Sequence, residues 1–214
     1  MAFDEKNQQQ IISYFTLRKL IGVLGIILPL LMVIFKYISE ESTTIEFSIS
    51  DYYDNGSAGY VLVGVLFVLG FFLLSYKGYE KIDDRASDIG CIAALGIALF
   101  PTTSTINAVH IMHFVFALIL FSTFIFFCLY LFRKTGPAKT VTKKKVLRNK
   151  VYITCGIIMI VCIAGIALAS FNVLGTAAAK YHIVFWLETI ALFAFGFSWI
   201  VKGELLWKDA ESHQ

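Results

Sequence analysis

Residues 106–132 read INAVHIMHFVFALILFSTFIFFCLYLF, a run almost without polar side chains that stops at Arg133-Lys134. Roughly 20 residues at about 1.5 Å rise each cross the hydrocarbon of a bilayer, and this run is longer. It predicts a transmembrane helix. Its first turns nevertheless carry His110 and His113. Ionisable groups are costly inside a spanning helix, so both histidines are candidate functional residues.

Working outward, the composition agrees with this run. Hydrophobic residues make up 58% of the 214-residue chain and charged residues only 15%, against about 25% charged in soluble domains. Mean hydropathy is +0.76. The chain belongs to the membrane class, and its length fits one helical bundle without a second domain. Cys91, Cys128, Cys155 and Cys162 all lie in apolar runs with no CxxC spacing. They read as small buried apolar side chains.

Further apolar runs predict spans at residues 17–38, 60–76, 86–100, 151–171 and 181–201, beside the one at 106–132. The fold class is therefore all-α, a polytopic transmembrane bundle of six helices. The first run contains Pro29 and continues through Phe35-Lys36-Tyr37 without an A-x-A site. It reads as a retained span, kinked at Pro29. Residues 11–15 read as a short interfacial helix. Span three is rich in Gly90, Ala93, Ala94, Gly96 and Ala98, which favours burial within the bundle, with Asp84 or Ser87 as its cap. Gly64 and Gly70 in span two allow close helix approach. Trp186 and Trp199 read as interface anchors at the two ends of span six.

The loops set the orientation. Residues 133–150, RKTGPAKTVTKKKVLRNK, carry six lysines and two arginines and no acid. Residues 39–59, SEESTTIEFSISDYYDNGSAG, carry Glu40, Glu41, Glu46, Asp51 and Asp54 and no basic residue. Lys/Arg-rich loops stay in the cytoplasm. Arg18-Lys19, residues 77–85 and residues 202–208 fall on the same side as the basic loop. Both termini are then cytoplasmic (N-in/C-in) and the acidic loop faces out. The basic stretch suits anionic lipid headgroups. It lacks the aromatic interleaving or recognisable module of a nucleic-acid site, so membrane lipids are the expected partners and nucleic acid is not.

With this orientation, spans four and six both descend from the outer face. His113 and Glu188 then fall at similar depth, His110 shares the face of His113, and His182 sits at the mouth of span six. A carboxylate–imidazole pair would satisfy both His113 and Glu188. The cluster predicts the floor of an outward-facing pocket for a lipid or small molecule, lidded by the outer loop through Asp51 and Tyr53. A structural pair is one alternative. A metal site is another, with His110, His113 and Glu188 as zinc ligands, since zinc takes three close N/O/S ligands and an open fourth position. No GxxxxGK[ST] or GxGxxG motif is present, which excludes the common nucleotide sites. The expected function is non-enzymatic, with no cofactor. A zinc-dependent lipid hydrolase and a scaffold subunit of a membrane complex are the alternatives.

The strings SISDYY, FVLGFFLLSYKGY, ALGIALFP, HFVFA, RNKVYITCG, FWLE and FGFSWIVKGE, across residues 48–204, resemble an uncharacterised group of six-span bacterial membrane proteins, the DUF998 class. The resemblance implies the bacterial inner membrane and brings no activity with it. It implies an aromatic-Pro end to span three, here Phe100-Pro101. It also implies a histidine with an alanine four residues on, here His113 and Ala117, which favours His113 over His110. A more distant similarity is to the ceramidase and progestin/adiponectin-receptor superfamily, whose zinc sits among a Ser, an Asp and three His. This chain has no HxxxH, and Glu188 stands in its last span where that superfamily has a His pair.

Overall fold

The computed structural model describes residues 13–78, 80–135, 142–171, 173 and 175–207. Ile11 and Ile12 of the expected interfacial helix lie outside them, as do Tyr79, residues 136–141 of the basic loop and Lys208. The described residues are all helix and connection, with no strand. The helices are α1 (Tyr14–Glu40), α2 (Gly56–Ser75), α3 (Lys81–Leu99), α4 (Asn107–Leu129), α5 (Lys143–Ser170), the short α6 (Thr176–Lys180) and α7 (Ile183–Lys202). Single 3-10 turns occupy Ser50–Asp54 and Leu131–Arg133.

Five of these helices are long and apolar enough to cross a membrane, with α4 counted through Arg133. They suggest a multi-pass membrane protein. The remaining expected span, span three, is α3, which is 19 residues long but opens with Lys81, Asp83, Asp84, Arg85 and Asp88. Those charges keep it outside the set. Its start also corrects the expected cap. The N-cap is Glu80, not Asp84 or Ser87. Glu80 and Asp83 form a reciprocal capping box in which Asp83 accepts the Glu80 N–H at 3.0 Å. The charges that resemble a loop in a hydropathy reading are the helix's own first turn, where acids favour the helix dipole. α5 likewise starts at Lys143, ahead of the expected 151, because Thr142 caps it by accepting the Lys145 N–H at 3.1 Å. Lys and Arg are good helix formers, so the helix extends beyond its apolar part.

The long helices form a ring in chain order. Each packs on the next, and α7 fills the gap between α5 and α1. The closest seam is α1 on α7. A Cβ placed on Gly22 would lie 2.5 Å from the Gly196 carbonyl oxygen, and one on Gly196 would strike the Gly22 carbonyl. Only glycine allows backbones that near. Gly64 meets nothing within 4 Å, so its expected role in close approach is corrected: it faces away from every neighbour.

Aromatic rings fill the centre. Phe124 of α4 stacks on Phe195 of α7 with centroids 3.7 Å apart. Trp199 lies 5.0 Å from Tyr76, 5.1 Å from Phe127 and 5.0 Å from Phe132. Trp199 is fully buried, whereas Trp186 is 49% exposed. The expected interface anchor at 199 is thus a core residue. It shares its inward stripe with Leu192, Phe195 and Gly196 at helical spacing. The two ends of the ring differ in kind. One carries the acidic loop and its 3-10 turn; the other carries most of the basic residues.

Candidate functional site

At the acidic end, residues 46–54 fold across the ring as a plug. Ile49 and Ser48 are buried, and Tyr52 is fully so. The local turn comes from the sequence Ser48-Ile49-Ser50-Asp51. Ser48 Oγ accepts the Asp51 N–H at 3.2 Å, and Asp51 Oδ2 accepts the Ser48 N–H at 3.0 Å. This is the reciprocal arrangement of a capping box. It turns Tyr52 inward, where its ring lies 6.0 Å from that of Phe185. The Tyr52 hydroxyl accepts the Glu46 N–H at 3.4 Å, and burial pushes its pKa up, so the phenol stays neutral.

The plug is held from every side. Lys36 of α1, 4% exposed, forms an ion pair with Glu46. Asn55 donates to Glu46 at 3.2 Å and to Glu40 at 3.2 Å. From the start of α7, His182 Nδ1 is 3.2 Å from the Glu46 carbonyl, and the Phe185 N–H donates to the Phe47 carbonyl at 2.9 Å. Thr102, between α3 and α4, donates toward the Ser50 carbonyl and Asp51 Oδ1, each at 3.4 Å. The Tyr53 hydroxyl donates to the Ala98 carbonyl at 3.4 Å. A side chain at Gly59 of α2 would collide with the Tyr53 carbonyl.

His113 and Glu188 meet this plug at adjacent residues. Glu188 Oε2 accepts the Ile49 N–H at 2.6 Å. His113 Nε2 lies 2.9 Å from Ser50 Oγ, and its Nδ1 lies 2.7 Å from the Phe100 carbonyl. A carbonyl only accepts, so Nδ1 carries the proton and, in the neutral ring, Nε2 accepts from the Ser50 hydroxyl. The expected direct carboxylate–imidazole pair is corrected: each group bonds the loop that runs across them. That arrangement satisfies both, because an amide N–H and a hydroxyl lie within reach of the two acceptors.

The histidine pair has a local role as well. His110 Nδ1 is 2.6 Å from the Thr102 carbonyl, a contact parallel to that of His113 Nδ1 with the Phe100 carbonyl at 2.7 Å. Pro101 lacks an N–H and ends α3, leaving carbonyls there without helical donors. The i, i+3 spacing lets two imidazoles on one face of α4 supply them. His110 does not contact the plug in the manner of His113. The zinc set His110, His113 and Glu188 is not brought together. Among the described residues no three His, Cys, Asp or Glu side chains are grouped closely enough to hold a metal ion. Asp51 and Tyr53, expected at the lid, are both in the plug, Asp51 turned to its own backbone and Tyr53 to α3.

Ser50, Lys36 and Glu46 are contacts that the sequence reading did not single out. Ser48-x-x-Asp51 is a signal that was available for the turn. A lysine near the C-terminal end of α1, followed directly by an acidic loop with no basic residue, was a signal for Lys36–Glu46. Nothing local marks Ser50. Two apolar grooves open on the flanks of the ring. One of about 590 Å³ lies between α3 and α4, lined by Arg85, Ile89 and Leu118. One of about 440 Å³ lies between α5 and α7, lined by Cys155, Ile158 and Phe197. Neither touches His113 or Glu188.

No protein-family model, no curated protein and no solved structure matches this chain.

Proposed function

We propose that this is a six-span inner-membrane protein of the DUF998 type, with both termini in the cytoplasm, that binds or passes a lipid or small molecule at its outward-facing end. In this reading α3 is span three of six, accommodated because its charges sit in the first turns beside the membrane edge. The ligand site is the floor formed by His113 and Glu188, and residues 46–54 are its lid. One observation carries the reading: two ionisable side chains from different helices grip consecutive residues of one loop, through the Ile49 N–H and the Ser50 hydroxyl. A loop that satisfies buried acceptors in this way occupies the place of a ligand bearing N–H and O–H donors. Lifting it exposes a carboxylate and an imidazole together, and such a pair holds a polar group firmly only where water is excluded.

Native mass spectrometry of the protein in mild detergent tests this, with wild type beside the His113→Ala, Glu188→Gln double variant. A co-purified lipid or small molecule on the wild type, depleted in the variant, is the expected result. Absence of any such adduct from both overturns the reading. The two contacts are then a static latch, as a scaffold subunit would have.

A further inference from the structure

The groove between α3 and α4 has a cause in the sequence. Where the two helices meet, α3 presents Ala86 and Gly90, and a Cβ on Gly90 would lie 3.4 Å from Thr123 Cγ2 of α4. Small side chains at the seam leave a furrow of about 590 Å³ walled by Ile89, Leu118, Ser122 and Phe126. Ile89 is 49% exposed and Leu118 58%. The Thr123 hydroxyl in the lining donates to the Ile119 carbonyl at 2.8 Å, so it adds no unmet donor. Sites for small molecules span roughly 300–1,000 Å³, and this furrow is of that size.

Opposite charges stand side by side where α3 enters this furrow. Arg85 lines it and is exposed. Asp88 follows three residues later, so the two share one side of α3. Asp88 is half-buried, and Ile92, one turn further along that side, is 63% exposed. That side therefore faces out of the ring. The other acids of these turns are engaged: Asp84 accepts the Gly78 N–H at 3.1 Å, and Asp83 accepts from Lys134 at 3.2 Å. Among the described residues the Asp88 carboxylate accepts no hydrogen bond and forms no ion pair, with Arg85 or any other. An ionisable side chain on the outer face of a spanning helix calls for a partner, and here none comes from the chain.

We infer that the α3–α4 furrow binds a phospholipid whose headgroup carries a primary ammonium, with an acyl chain between Ile89 and Leu118, the phosphate on the Arg85 guanidinium and the ammonium on the Asp88 carboxylate. This rests on the proposed reading of α3 as a span and is independent of the ligand proposed at the acidic end. The two charges select the occupant. A guanidinium fork matches phosphate oxygens. A primary ammonium donates N–H to a carboxylate. A choline headgroup has no N–H to donate. A glycerol headgroup leaves the phosphate's negative charge beside that of Asp88, which repels it.

The full-length protein in a neutral detergent is titrated with phosphatidylethanolamine, phosphatidylcholine and phosphatidylglycerol of identical acyl chains, and bound lipid is counted by native mass spectrometry. The expected result is saturable phosphatidylethanolamine, held about tenfold more tightly than the other two, the gain of one charge-assisted contact. Asp88→Asn is expected to abolish that preference and Arg85→Gln to weaken all three lipids about tenfold. Leu118→Trp fills the furrow without touching a charge and is expected to remove the saturable lipid. Lys180→Gln, an exposed cation at the acidic end, leaves the titration unchanged. The inference is overturned by equal, non-saturating uptake of the three lipids, by a preference for phosphatidylglycerol that Asp88→Asn leaves intact, or by a phosphatidylethanolamine preference that none of the furrow variants alters. The spectra separate this site from the one at the acidic end. A ligand there is depleted in the His113→Ala, Glu188→Gln variant and retained in Leu118→Trp, and the furrow lipid behaves in the opposite way. Ile92→Cys in native membranes checks the span itself: it is expected to resist a water-soluble maleimide, and free reaction would remove α3 from the bilayer and the inference with it.

Discussion

Glu188 holds the Ile49 N–H through one carboxylate oxygen, and that atom sets what its replacements do. Glu188→Gln keeps an acceptor oxygen and is expected to unfold within about 1 kcal/mol of the wild type. Glu188→Leu leaves a buried N–H without a partner and costs roughly 1–3 kcal/mol. Denaturant unfolding in mild detergent, followed by circular dichroism, separates the two; equal losses would show that the hydrogen bond contributes nothing. At the other end, Lys134 gives a pH dependence. Desolvation lowers its pKa, but its hydrogen bonds and attraction to Glu80 and Asp83 outweigh this and raise it. A raised folded-state pKa means that the contribution is complete below the unfolded lysine value of about 10.4 and is lost as pH rises through the higher folded value. Unfolding midpoints measured upward from pH 9 are expected to fall more steeply for wild type than for Lys134→Met. At this scale His113 and Glu188 were legible as polar atoms buried in apolar runs, because intramembrane charge is rare. Their partner Ser50 was not, since a serine in a polar loop has no feature of its own.

At the scale of elements, the α1–α7 seam carries the sharpest expectation. Gly22→Ala and Gly196→Ala each force a methyl onto the opposing backbone, at about 1–3 kcal/mol for overpacking of this kind. Gly64→Ala adds its methyl to open space and is expected to stabilise α2 slightly through helix propensity. Thermal unfolding of the three variants side by side ranks them, and a Gly64→Ala loss as large as that of Gly196→Ala would contradict the seam. All three glycines look alike in sequence. Which of them meets a neighbour depends on how two helices distant in the chain cross. The ends of α3 and α5 were misread for a different reason. Hydropathy marks where a helix is apolar, whereas caps such as Glu80 and Thr142 mark where it begins.

For the whole molecule, the charge difference between the two ends predicts which side each faces. Ser42→Cys in the acidic loop is expected to react with a membrane-impermeant maleimide in intact bacterial cells, and Lys143→Cys at the start of α5 only after the cells are opened. The reverse pattern would invert the topology, and reaction of both in intact cells would remove it. The existence of the helices and the chemical difference between their ends follow from the sequence alone. Long apolar runs have one economical solution in a bilayer, and charge asymmetry between loops is a property of composition. Only the tertiary structure decided that α7 closes the ring on α1, that Trp199 lies in the core and that the loop between α1 and α2 is the partner of both His113 and Glu188. Those bonds join residues 63 and 139 positions apart. A buried polar atom is satisfied by whatever acceptor or donor the crossing of helices brings within about 3 Å of it, and no local pattern of residues encodes that distance.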